Sequence, residues 1–108
     1  MDMLIDGEYV NDMDSEDVIN PYTGEVIDTV PISHLNNVDK AIEAANNAKK
    51  FLQEMSAFKV SNKLFNVCDK LKENRDDFAE LLTKEVGKPI NESYVELDRS
   101  VETLKLAA

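Results

Sequence analysis

This chain of 108 residues has no tryptophan, one cysteine, one histidine, three glycines and three prolines. A single cysteine excludes an internal disulfide. The lone histidine, His34, has no second His or Cys at ligand spacing, which excludes a zinc site of the usual kind. The glycines stand far apart at positions 7, 24 and 87, so neither common Gly-rich phosphate loop is present. Binding a dinucleotide through backbone amides at a helix start is therefore excluded for this stretch. No apolar run approaches the ~20 residues that cross a bilayer, and no basic, apolar leader opens the chain. The expectation is a soluble, cytoplasmic protein.

Positive charge is also missing where it would matter. The net charge is −10, from 22 acidic and 12 basic residues. Residues 1–31 hold nine of the acidic side chains and no Lys or Arg. Nucleic acid and anionic membrane both require a basic footprint, so neither is expected as a partner. The acidic arm reads as a solvated edge or as a face turned toward a basic surface.

What is there begins with turn chemistry. Asp6-Gly7 sits between short apolar runs, the strongest short hairpin signal. Asp12 to Asp17 reads as a charged loop. It has faint calcium-loop spacing, but Asp17 and Thr23 stand where Gly and Glu are required, so calcium is rejected. Val18-Ile19 lead into the turn Asn20-Pro21-Tyr22-Thr23-Gly24, and Glu25 to Val30 returns as a strand that Pro31 ends.

The period then changes to helical. Asn36 or Asn37 is placed as the N-cap of a helix over 38–54, with Val38, Ala41, Ile42, Ala45, Ala48, Leu52 and Met55 on one flat face. A second helix is predicted over 57–73, with Phe58, Leu64, Phe65, Val67, Cys68 and Leu71 toward the core. Asn74 interrupts it. Asp76-Asp77 favour the start of a third helix, which runs to Val86 with Phe78, Leu81 and Leu82 on its stripe. Gly87 stops that helix and Pro89 delays the next. Ile90, Tyr94, Leu97, Val101, Leu104 and Ala108 mark a fourth helix still in stride at the last residue. The expected fold class is α+β: two N-terminal β-hairpins followed by about four packed helices. The expected division is one segment, 1–108, with acidic hairpins at 1–31 and a helical layer at 38–108.

Candidate chemistry is sparse. Cys68 lies on the apolar stripe with Leu64 and Leu71, a core position without the access of a nucleophile. Glu80, Glu85, Glu92 and Glu96 alternate with Lys84 and Lys88 at helix-pairing distances, which makes surface ion pairs their ordinary account. Asn91-Glu92-Ser93 matches a glycosylation acceptor but falls in a helix, so it is read as chance. No catalytic, cofactor-binding or metal-ligating residue is assigned.

Taken in order, Leu4-Ile5-Asp6-Gly7-Glu8, Ile19 to Val26, Val38-Asp39-Lys40-Ala41 with Ala45 and Ala48, Leu64 with Leu71, and Glu85 to Ile90 with Glu96 form a set. This ordered set resembles the N-terminal segment of the NAD(P)-dependent aldehyde dehydrogenase superfamily, with archaeal lactaldehyde and glyceraldehyde-3-phosphate dehydrogenases as the branch most like it. Leu52 stands where many members have Trp, and Val60 where many have Arg. The resemblance implies an α/β parent in which this stretch is a layer packed on the cofactor-binding domain. The parent would use NAD or NADP to oxidise an aldehyde to a carboxylic acid. The oxyanion-stabilising asparagine, the catalytic cysteine and the general-base glutamate of the family have no counterpart here. Some members hold a structural monovalent cation near the second hairpin, which in this chain would draw on the Ile19 carbonyl and Glu96.

The reading is thus a scaffold segment, without chemistry of its own, whose partner is the remainder of a longer parent chain. Self-association is expected when it is alone, through the last helix or the Ala-rich helix. The alternatives are a stand-alone acidic helical interaction module, or a small enzyme built on Cys68.

Overall fold

A computed structural model describes residues 2–11 and 14–108. Asp6 and Gly7 both adopt positive φ, 53° and 78°, the left-handed pair that a tight hairpin demands. They join β1 (Met3–Ile5) to β2 (Glu8–Val10), antiparallel with Leu4 opposite Tyr9. The second hairpin pairs β3 (Ser15–Ile19) with β4 (Val26–Pro31), with a register shift between Val18 and Ile19.

Two readings of this region need correction. Ser15, Glu16 and Asp17 belong to β3 and not to a loop, because each has a cross-strand partner in Pro31, Val30 and Thr29. Asp12 and Met13, part of the expected charged loop, lie outside the described residues. Pro31 does end β4, and the Ile32 N–H still donates to the Asp14 carbonyl at 2.8 Å.

Four helices follow: α1 (Leu35–Glu54), α2 (Ala57–Glu73), α3 (Arg75–Val86) and α4 (Ile90–Ala107). Helix α1 begins three residues before the expected start, and His34, without a side-chain cap, is its N-cap. The Asn37 and Val38 amides donate to the His34 carbonyl, so the chain turns helical almost as soon as β4 ends. Asn37 is buried inside the first turn instead of capping it. Ser56 caps α2 by accepting from the Lys59 amide. Asn74 closes α2 and opens α3, donating through Nδ2 and its own amide to the Lys70 carbonyl and accepting from the Phe78 amide.

The chain divides into two compact units. One draws on Met1–Ile19 and Val26–Met55, the other on Asn20–Glu25 and Ser56–Ala108. Packing therefore does not follow chain order: α1 groups with the strands, and the Asn20–Glu25 turn groups with the later helices.

In the helical unit both α2 and α3 pack on α4. Leu97 and Val101 are buried on α4, Cys68 on α2, and Ala79 on α3 is fully enclosed. A methyl group at position 79 lets the α3 and α4 backbones approach. Leu64, Cys68 and Leu71, at i, i+4 and i+7, form the inward stripe of α2, with Cys68 buried and the two leucines half-buried. Phe58, Phe65 and Val67 were expected in the core but are open to solvent, since all three lie off that stripe.

Gly87 shows what fixes the α3–α4 corner. Its φ of 73° is left-handed, and its amide donates to the Thr83 carbonyl at 2.8 Å. A Cβ at this site would stand 2.7 Å from Pro21 Cγ, so the proline ring of the Asn20–Glu25 turn occupies the space that glycine leaves. Gly87→Ala is expected to lower the stability of the helical unit by about 2–4 kcal/mol, combining the left-handed penalty with the clash. Thermal or urea unfolding of the variant measures this, and an unchanged midpoint would contradict it.

Candidate functional site

The side chains that could carry chemistry are dispersed or already engaged. Cys68 is 1% exposed, and its thiol donates to the Val101 carbonyl at 3.8 Å. It is core material, as its position on the stripe suggests. His34 is exposed at the start of α1, with Nε2 3.5 Å from Asp14 Oδ2. Among the described residues no three His, Cys, Asp or Glu side chains cluster as a metal site. No described helix is long and apolar enough to cross a membrane.

The four glutamates do not assemble. Glu80 pairs with Lys84 at 3.7 Å along α3, the helix-surface arrangement expected from spacing. Glu96 accepts from Lys88, which reaches back from the α3–α4 corner. The Asn91-Glu92-Ser93 triplet lies in the first turn of α4, where Ser93 is fully buried and shares a 2.8 Å hydrogen bond with Thr83 Oγ1. A buried acceptor serine supports reading that motif as chance.

Sequence periodicity gave no sign of two side-chain constellations. Arg75 donates through Nε and Nη2 of its guanidinium to both carboxylate oxygens of Asp98, at 2.8 and 2.9 Å. Its guanidinium also lies 4.2 Å from the centre of the Tyr94 ring. The Arg75 hydrogen bonds hold the Asp98 carboxyl below the ordinary carboxylate range, and burial raises the Tyr94 phenol. The second is the Thr83–Ser93 hydroxyl pair. Both lock α3 to α4.

What remains is surface shape. In the first unit, Met3, Leu4 and Ile5 of β1 and Val38, Ala41 and Ile42 of α1 line an open apolar groove of about 550 Å³. Ile42 is 63% exposed there and Leu52, further along α1, is 55% exposed. In the second unit, Val67, Leu71, Phe78 and Leu81 line a groove of about 520 Å³ between α2 and α3. An exposed large apolar side chain forgoes on the order of 1.5–3 kcal/mol relative to burial. Against a typical domain stability of roughly 5–15 kcal/mol, these faces are a substantial deficit. Leu52 and Val60, the two positions that depart from the resemblance, are among the exposed ones.

The sequence model of the aldehyde dehydrogenase family matches residues 9–108. The chain belongs to that family. It corresponds to the N-terminal segment of the aldehyde dehydrogenase superfamily. It is 39% identical over 106 residues to a lactaldehyde dehydrogenase of Methanocaldococcus jannaschii, covering 98% of this chain and 23% of that aldehyde dehydrogenase. Malonate-semialdehyde dehydrogenase 2 of Oceanobacillus iheyensis is 41% identical over 105 residues, covering 95% of this chain and 22% of its own.

Solved aldehyde dehydrogenases share the fold. A betaine aldehyde dehydrogenase from Staphylococcus aureus in complex with NAD+ superposes with a TM-score of 0.90 at 34% identity, over 95% of this chain and 22% of that one. An aldehyde dehydrogenase from Physcomitrella patens in complex with the reaction product succinate gives a TM-score of 0.92 at 33% identity, over 98% and 22%. The chain thus spans less than a quarter of the length of these relatives.

The first turns of α3 and α4 carry Asp76, Asp77 and Glu92, which would repel a pyrophosphate. Gly87 is spent on a helix end against Pro21.

Cys68 allows a direct check on whether any thiol chemistry belongs to this chain. A soluble thiol reagent is expected to leave the native protein unlabelled on the timescale that labels it fully in denaturant. Rapid native labelling, read by mass spectrometry, would place Cys68 at the surface.

Proposed function

We propose that this chain acts as the supporting N-terminal segment of an NAD(P)-dependent aldehyde dehydrogenase. The whole enzyme oxidises an aldehyde to a carboxylic acid, and this segment contributes no reacting group. The observation that carries the reading is the family match over residues 9–108 in a chain spanning 23% of its lactaldehyde dehydrogenase relative. The open apolar faces of α1 and β1 are surfaces for the remainder of such an enzyme to cover.

The cofactor of the whole enzyme is NAD, in line with the relatives solved with NAD+. The relatives named for lactaldehyde and malonate semialdehyde point to a short aldehyde that carries a second oxygen function. The enzyme works in the cytoplasm. The segment alone self-associates, since large apolar patches are rare on monomers. A stand-alone acidic interaction module has no observation in its favour beyond the composition of residues 1–31.

Complementation tests the proposal. The partner is the Methanocaldococcus jannaschii lactaldehyde dehydrogenase with the stretch matched by this chain deleted. Neither protein alone is expected to reduce NAD+ in the presence of lactaldehyde, and the two co-expressed are expected to do so. Turnover by this chain alone, or a co-purifying pair that stays inactive, would overturn the reading.

A further inference from the structure

We infer that the Asp6-Gly7 turn is a modification site, where the chain converts without an enzyme to an isoaspartyl linkage that loosens β1 from α1. The reacting groups belong to adjacent residues. The nucleophile is the Gly7 amide nitrogen, and the electrophile is the side-chain carboxyl carbon of Asp6. Both residues are exposed at the tip of the β1–β2 hairpin. Among the described residues nothing engages either group: the Asp6 carboxylate enters no ion pair and the Gly7 amide no hydrogen bond. A Cβ on Gly7 would meet nothing within 4 Å, so a ring closing onto its nitrogen has room. Only three residue pairs close this hairpin, and a two-stranded ribbon so short opens locally with ease.

The step needs only water. The Gly7 nitrogen attacks the protonated Asp6 carboxyl and a carbon–nitrogen bond forms. The carbon–hydroxyl bond breaks, and the hydroxyl leaves with the amide proton as water. The product is a succinimide ring, to which water then adds at one of its two carbonyls. Opening at the side-chain carbonyl restores aspartate. Opening at the main-chain carbonyl leaves Gly7 joined through the Asp6 side chain. No electrons are exchanged, and the water lost is regained, so the mass is unchanged.

No other described aspartate combines these features. Each is followed by a residue that carries a Cβ. Asp28 Oδ1 already accepts from the next amide, that of Thr29, at 2.7 Å. Asp69 and Asp98 are held by Lys72 and Arg75. Asp14 precedes the small Ser15, but its carbonyl accepts from the Ile32 amide at 2.8 Å and its carboxylate lies 3.5 Å from His34 Nε2.

The change acts on the hairpin through its geometry. Left-handed dihedrals at both turn residues set β1 against β2. An isoaspartyl linkage adds a methylene to the main chain there, so the tight turn no longer closes with Leu4 opposite Tyr9. Met3 and Ile5 then lose the positions from which they line the groove with Val38, Ala41 and Ile42 of α1. The inference is independent of whether the chain supports an aldehyde dehydrogenase.

Ageing the folded chain at neutral pH and body temperature tests it. Chymotrypsin cuts after Tyr9 and Tyr22 and so separates Asp6 from Asp14 and Asp28. The Asp6 peptide is expected to split into two chromatographic peaks of equal mass, the new one carrying the isoaspartyl signature in electron-transfer fragmentation. The Asp14 and Asp28 peptides are expected to stay single. Hydroxylamine added during ageing should trap the ring as a hydroxamate at Asp6. Asp6→Glu, whose longer side chain closes a ring far less readily, should lose the new peak. Asp6→Asn, which keeps the turn chemistry, should convert faster, with release of ammonia. In the purified isomer the Glu8 amide should exchange with solvent faster than in the unaged protein. An Asp6 peptide that stays single in the folded chain, equal splitting at Asp14, or an isomer with unchanged Glu8 exchange would each overturn the inference.

Discussion

The helical unit depends on α4 being narrow enough to be gripped from two sides. Ser93 and Leu97 lie one turn apart on it, and Val101 lies a turn further. That strip receives Cys68 from α2 and Ala79 from α3. Small side chains at 68, 79 and 93 bring the backbones close, and close packing gives the dispersion energy that a chain without tryptophan gets from few other places. Polar links then fix the register: Thr83 with Ser93 near the start of α4, and Arg75 with Asp98 a turn later. The corner between α3 and α4 is held from outside by Pro21 against Gly87.

Much of this architecture is legible in the sequence. Asp6-Gly7, Asn20-Pro21 and Gly87 specify backbone dihedrals directly, so both hairpins and the end of α3 follow from local chemistry. Asn74 separates two helices because an asparagine there donates from its side chain to the Lys70 carbonyl near the end of the first. The start of α1 falls ahead of Asn36 and Asn37 because His34, still extended, is the N-cap and makes no side-chain cap, so no capping side chain marks the boundary.

Burial was less legible, for a physical reason. Apolar period identifies a face but not whether anything covers it. Phe58, Phe65 and Val67 read as core, yet the stripe that meets α4 is only Leu64, Cys68 and Leu71 wide. Ala79 and Ser93, the most enclosed side chains of α3 and α4, are too small or too polar to announce themselves. Arg75 and Asp98 are 23 residues apart, and only the folded geometry brings them together. The burial of Cys68 was legible, because a cysteine on an apolar stripe is a property of the sequence itself.

The account rests on the α2–α4 packing being the self-sufficient part of the molecule, while α1 leaves its apolar face bare. Native-state amide hydrogen exchange, resolved by residue, tests this most directly. The account predicts strongest protection at Leu97 to Val101 and much faster exchange along Ala41 to Leu52. Equal protection of α1 and α4 in the isolated monomer would contradict it.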